Sequence, residues 1–239
     1  SSSGHVGDDL AAVPGGTGRS VGHDPLGGRD NGDAETAQDL GQLVLAAVDP
    51  QRLEGGRIVI VDGERFAMTE RPAPDYLESA VQGIEQDLGR PLPDGYVSDV
   101  CVAAPRWIAD LAAALEEGTV FLFDYGVSRK EYYAADRNGG WLRCHFRHHA
   151  HNDALLLPGI QDITAWVDFT AVAGAAADNG LDIIGFLTQA RFLINGGLDA
   201  ELTGMVDLPI EAQLRLAGEV KMLTLPAEMG EHFKCMALR

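Results

Sequence analysis

Asp124, Asp162 and Asp168, with His145, His148, His149 and His151, are the side chains between 119 and 169 most able to do chemistry. Asp124 ends an apolar run, Thr119-Val120-Phe121-Leu122-Phe123, and opens Asp124-Tyr125-Gly126. Such a run reads as a buried strand, and in open α/β sheets ligands sit just beyond the carboxyl ends of strands. The plainer reading is a strand followed by an Asp-Tyr-Gly turn. In Gln161-Asp162-Ile163-Thr164, polar groups cluster beside an apolar segment. An acid there can orient a cationic nucleophile and weaken its hydration, or it can cap backbone groups in a turn. Asp168, just before an apolar segment, reads as a helix cap. The histidine run invites a metal reading, because imidazole suits zinc, copper and nickel. Arg143 and Arg147 repel a cation and nothing in the spacing fixes a tetrahedral site, so no metal site is read here.

These residues need elements to position them. Apolar residues at Leu40, Leu43, Val44 and Ala47 have helical spacing and predict a short helix over 34–48. Residues 57–69 read as a hairpin around Asp62-Gly63. Tyr76, Leu77, Ala80, Val81, Ile84 and Leu88 share one helical face over 73–88. A second helix opens at Ala104-Pro105-Arg106-Trp107, shows Trp107, Ile108, Leu111, Ala112 and Leu115 on its apolar face, and stops at Gly118. After the histidine segment come a helix over 169–179, a strand over 182–188, helices over 190–197 and 211–223, and a last strand over 232–238. Phe186, Phe192, Leu193 and Leu198 read as core, and Met222, Leu223 and Leu225 as packing residues.

Composition narrows the class. Thirty-six acidic against eighteen basic residues leave a net charge of -18. That argues against a nucleic-acid backbone or an anionic membrane as partner and is compatible with a basic protein substrate. No apolar run is long enough to span a bilayer, and no secretory signal opens the chain. Cys101, Cys144 and Cys235 are too far apart for a zinc knuckle or a disulfide framework. They fit a reducing compartment, read here as the cytoplasm. Residues 1–33, rich in Gly, Ser and Asp, cannot bury enough apolar surface to order themselves, so 1–56 is expected to be largely irregular and 57–239 to be the folded region.

The ordered motifs resemble the MidA-like family of S-adenosylmethionine-dependent methyltransferases, which includes a mitochondrial complex I assembly factor that methylates a protein arginine. The matching residues are Phe123-Asp124-Tyr125-Gly126, Glu131-Tyr132-Tyr133 with Arg137, and Cys144-His145 with Arg147-His148. They continue through Pro158-Gly159, Gln161-Asp162-Ile163-Thr164-Ala165, Val167-Asp168-Phe169, Thr188-Gln189 and Phe192-Leu193. Pro226, Glu228-Met229-Gly230-Glu231 and Phe233-Lys234 complete them. The resemblance runs from about Arg57 onward and covers the family's C-terminal half. It implies an α/β fold, the closing part of a class I (Rossmann-like) methyltransferase with helical insertions and a mixed sheet whose last strand is antiparallel.

It implies a methyl transfer from S-adenosylmethionine, plausibly to a protein arginine, with a protein or peptide as partner. Asp124 and Asp162 are then the catalytic acids. Tyr125, Gly126, Tyr132, Tyr133, Arg137, His145, Gln161, Thr164 and Gln189 line the substrate, with the histidine segment as a loop ordering over it. The family holds its cofactor with a Gly-rich turn after a first strand. The only candidates are Gly15, Gly16 and Gly18 in Val13-Pro14-Gly15-Gly16-Thr17-Gly18-Arg19, where Pro14 stands at the start of the turn and a poor strand precedes it, so the stretch reads first as a flexible linker. The family's ribose-binding acid and its Asn-Glu motif have no counterpart here. The expectation is therefore a cofactor half that is missing or degenerate, a chain that by itself binds S-adenosylmethionine weakly or not at all, and, as the rival, a non-catalytic interaction module.

Overall fold

A computed structural model describes residues 56–239 and, before them, the backbone of one strand, Leu43–Val48 (β1). Residues 1–42, with Gly15, Gly16 and Gly18 and the expected irregular region, lie outside the described residues. The helix expected over 34–48 is corrected at its end: β1 is a strand that pairs antiparallel along its whole length with β4, Tyr96–Cys101. A run as apolar as Leu-Val-Leu-Ala-Ala-Val satisfies both periods, and the neighbouring strand decides.

Gly56–Asp62 (β2) and Arg65–Arg71 (β3) form the expected hairpin, with Gly63 at φ 62° in its turn. They extend the first sheet to the order β3-β2-β1-β4, antiparallel throughout. Helix α1, Asp75–Leu88, buries Leu77, Val81 and Ile84 and ends at Gly89 in the left-handed conformation. Those three side chains join Leu92, Tyr96, Val100, Tyr132, Tyr133 and Trp141 in one core. Helix α2, Ala104–Ala114, buries Ile108 and leaves Trp107 exposed.

The second sheet is organised around β5, Val120–Val127. The break expected at Asp124 does not occur. Phe233 and Lys234 of β11, Phe233–Leu238, pair with Tyr125 and Asp124, and Val167–Asp168 (β9) pairs parallel with Gly126 and Val127. Partners on either side carry the strand through a sequence that alone reads as a turn. With β10, Ile183–Thr188, the order is β10-β11-β5-β9, mixed, with the last strand antiparallel to both neighbours. Helix α4, Phe169–Asp178, packs Phe169, Val172 and Ala176 with Ile108, Met236 and Leu238 in a second core. Gly126 is fixed by this packing: a Cβ there would stand 2.4 Å from the Val167 carbonyl and 2.7 Å from the Phe169 ring.

The histidine segment is a small third sheet rather than a loop. Arg143–Phe146 (β6) pairs with His149–His151 (β7) and with Asp162–Thr164 (β8). Arg147 and His148 turn the hairpin at φ 48° and 66°. Between β5 and this sheet runs the one-turn helix α3, Arg129–Tyr132, whose Ser128 and Glu131 form a reciprocal capping box. The C-terminal helices are α5, Gln189–Asn195; α6, Leu198–Glu201; α7, Ile210–Thr224; and α8, Met229–His232. The core readings are corrected for Phe186, Met222 and Leu225, all of which are exposed. None of the described helices is long and apolar enough to cross a membrane.

Candidate functional site

A cavity of about 780 Å³ opens where α1, the end of β4, α3 and the start of α4 meet. That size falls within the ~300–1,000 Å³ typical of ligand pockets. Val100, Cys101 and Val102 close one side and Trp166, Val167 and Asp168 the other. β4 and β9 are the outermost strands of their sheets, so the cavity lies beside two strand ends. Its aromatic wall is braced by contacts from behind. Trp166 stacks on Trp141 with ring centroids 4.4 Å apart, and Trp141 donates its indole N–H to the Tyr132 carbonyl at 2.9 Å. Burial pushes the phenols of Tyr132 and Tyr133 far above their ordinary value, so both stay protonated.

One cation and two carboxylates meet at the cavity. Arg129 donates from Nε to Asp168 Oδ2 at 2.9 Å and from Nη1 to Asp87 Oδ2. Asp168 has a second task, because its Oδ1 accepts the Thr170 and Ala171 N–H groups at 3.0 and 3.2 Å and caps α4. Asp168 is thus the helix cap its position suggests, and the anchor of Arg129 as well.

Of the expected site residues, Tyr132 and Tyr133 line the cavity. Tyr125 and Thr164 come together through a hydrogen bond between Tyr125 Oη and Thr164 Oγ1, which ties β5 to β8. His145 stands opposite Asp162 in the β6–β8 register. Asp124 and Asp162 are both exposed, belong to different sheets, and do not line the cavity. Partial loss of hydration pushes the Asp124 carboxyl above its usual range, opposed by the Tyr125 N–H bond to its Oδ1.

Others are engaged elsewhere. Arg137 lies over the Trp141 ring at 4.4 Å. Gln161 donates to the Ala154 carbonyl at 2.9 Å. Gln189 is buried and donates to the Leu223 carbonyl at 2.9 Å, holding α5 against α7. Gly126 serves the β5–β9 contact. Among the described residues no three His, Cys, Asp or Glu side chains converge on a metal position.

Sequence reasoning missed Asp87, Arg129 and Trp166 at the cavity, and Asp99 beneath it. Asp99, in β4, is 0% exposed and accepts the Trp141 and Leu142 N–H groups at 2.5 and 2.9 Å. An acid inside the apolar pattern Tyr-Val-Ser-Asp-Val-Cys was the available signal, since a buried charge must be partnered.

The fit to a nucleotide-bearing cofactor is partial. The cavity offers aromatic walls and one carboxylate, Asp87, with a single oxygen left over from its pairing with Arg129. However, among the described strands none runs into a Gly-rich turn: β4 leads to Ala103-Ala104-Pro105, β5 to Ser128-Arg129, and β10 directly to Gln189.

Residues 36–187 match the model of a family of S-adenosyl-L-methionine-dependent methyltransferases, starting before the Arg57 at which the motif resemblance begins. The mitochondrial protein arginine methyltransferase NDUFAF7 of Danio rerio is 32% identical over 197 residues, 77% of this chain and 42% of the relative. The mouse protein of the same name is 37% identical over 144 residues, 59% of this chain and 31% of the relative. A crystal structure from Burkholderia thailandensis, bound to S-adenosyl-homocysteine, superposes with a TM-score of 0.71 at 34% identity, covering 82% of this chain and 49% of that one. The chain spans less than half the length of these curated relatives. These relatives are named as mitochondrial proteins, which overturns the cytoplasmic location read from the cysteines. Unpaired thiols mark a reducing environment, and more than one compartment supplies one.

Proposed function

Because the chain belongs to the family of S-adenosyl-L-methionine-dependent methyltransferases, aligned with its C-terminal part, we propose that it contributes the substrate-facing region of an enzyme that methylates arginine in a protein. The observation that carries this reading is the agreement of sequence and fold with a relative crystallised with S-adenosyl-homocysteine, which is the spent form of the methyl donor. The arginine comes from the relatives, which are named protein arginine methyltransferases.

S-adenosylmethionine is the family's cofactor and supplies an electrophilic methyl group when bound. This chain's residues do the positioning. A guanidinium is a poor nucleophile while it is protonated and hydrated, so it needs carboxylates that orient it and strip its water. Asp87 at the cavity, and Asp124 and Asp162 outside it, are the acids available for that work. Trp166, Tyr132 and Tyr133 wall the cavity, and Trp141 packs against Trp166 and Tyr132. The non-catalytic alternative gains nothing from the relatives, which are named as methyltransferases.

Methyl-labelled S-adenosylmethionine, incubated with the protein and an arginine-containing acceptor peptide, tests the reading. Acid hydrolysis should return the label as methylarginine, and label on another amino acid would overturn the arginine assignment. Calorimetric titration with S-adenosylmethionine separates the two halves of the problem. A weak or undetectable signal is expected if the cofactor loop lies outside this chain, whereas a low-micromolar dissociation constant would place a working loop within residues 1–55.

A further inference from the structure

Among the described residues, three charged side chains line the 780 Å³ cavity: Asp87, Asp168 and Arg129. Two carboxylates against one guanidinium leave one net negative charge in a lining that is otherwise apolar, aromatic or neutral. The two acids are not equivalent. Asp168 is spent, with Oδ1 on the first turn of α4 and Oδ2 on Arg129. Asp87 gives Oδ2 to Arg129, while Oδ1 has no protein partner among the described residues, and its side chain is 55% exposed. The cavity lining therefore includes one carboxylate with unused acceptor capacity.

Resting on the reading above, we infer that this cavity receives the side chain of the substrate arginine, with Asp87 taking its guanidinium and Trp166 flanking it. The walls select that chemistry. An anionic group would meet uncompensated negative charge. A neutral apolar group would strip water from Asp87 without pairing it, which is costly. A single cation on an apolar stem satisfies both, since its methylenes lie along Ala80, Ile84 and Val172 while its head stays at the carboxylate. A planar guanidinium suits the site better than an ammonium. It stacks on aromatic faces and offers paired N–H donors to a carboxylate. The protein already does this nearby, where the guanidinium of Arg137 lies 4.4 Å over Trp141, the ring on which Trp166 stacks.

The experiment is an NMR titration of the tryptophan indole resonances with N-acetyl-arginine amide. N-acetyl-citrulline amide serves as the uncharged near-isostere, N-acetyl-lysine amide as the ammonium, and S-adenosylmethionine as the competitor for the cavity. The arginine probe should shift the Trp166 indole saturably, the lysine probe should bind more weakly, and citrulline should leave it unmoved. Asp87→Asn should weaken the arginine probe at least tenfold. Gly83→Leu tests occupancy without touching charge: Gly83 lines the cavity, a Cβ there meets nothing within 4 Å, and the longer side chain should block the probe.

Equal binding of arginine and citrulline would overturn the inference. So would arginine binding that survives both substitutions. If S-adenosylmethionine alone shifts Trp166, the cavity belongs to the cofactor: this inference falls and methyl transfer stands. If no probe binds, the inference falls, and the labelling experiment still decides the broader reading on its own.

Discussion

At the scale of single residues, Asp99 is fully buried and bonded to two backbone N–H groups. It holds the segment that carries Trp141, and Gly140 makes room for it. Gly140 sits at φ 76°, and a Cβ there would stand 2.5 Å from Asp99 Oδ2. Desolvation pushes the Asp99 carboxyl above its ordinary value, against the N–H bonds from Trp141 and Leu142 that pull it down. A group with a raised folded-state pKa binds its proton more tightly when folded. Its contribution is therefore greatest below the unfolded value of about 3.8 and is lost as pH rises through the raised value. The stability difference between the wild type and Asp99→Asn, from urea unfolding at several pH values, should shrink or reverse as pH rises over that window. Asp99→Ala orphans two buried N–H donors and should cost about 1–3 kcal/mol for each. Gly126→Ala tests a close approach instead. Overpacking against Val167 and Phe169 should cost about 1–3 kcal/mol, read as a lower urea midpoint.

At the scale of elements, α4 depends on a side chain that also serves the cavity. Asp168 caps the helix through Oδ1 and holds Arg129 through Oδ2, and both partners are mostly buried. Two substitutions separate these roles. Asp168→Asn keeps an oxygen for the cap and loses the ion pair. Asp168→Ala loses both, so it should be less stable than the Asn variant by about 0.5–2 kcal/mol, the usual value of a cap. Equal melting of the two variants would mean that the cap contributes nothing. The same element logic explains β5. A turn-like Asp-Tyr-Gly stays extended because β11 pairs with Asp124 and Tyr125, and β9 pairs with Gly126 and Val127.

At the scale of the whole molecule, charge and exposed apolar surface oppose each other. A net charge of -18 keeps copies apart. Phe121 and Phe123, on one face of β5, remain 51% and 46% exposed although both pack edge-on against Phe192. Exposed apolar surface of this kind promotes association once repulsion is screened. Sedimentation velocity should show association rising with protein concentration in high salt and falling in low salt. Phe121→Gln with Phe123→Gln should suppress it, and unchanged association in the double variant would place the contact elsewhere.

The sequence by itself determined the elements whose period is unambiguous. α1, α2, the β2–β3 hairpin and the final strand follow from apolar spacing and from Gly and Pro punctuation, signals local enough to survive without tertiary context. The family, the mixed sheet and its antiparallel last strand were legible in ordered motifs. Tertiary pairing decided the rest. Strand partners made β1 a strand, carried β5 through Asp124, and turned the histidine segment into a hairpin, because each of those stretches is compatible with more than one backbone state. The cavity was least legible of all. Asp87, Arg129 and the pair Trp166 and Asp168 come from three distant parts of the chain, and no local pattern marks side chains that meet only when α1, α3 and α4 pack around the ends of β4 and β9.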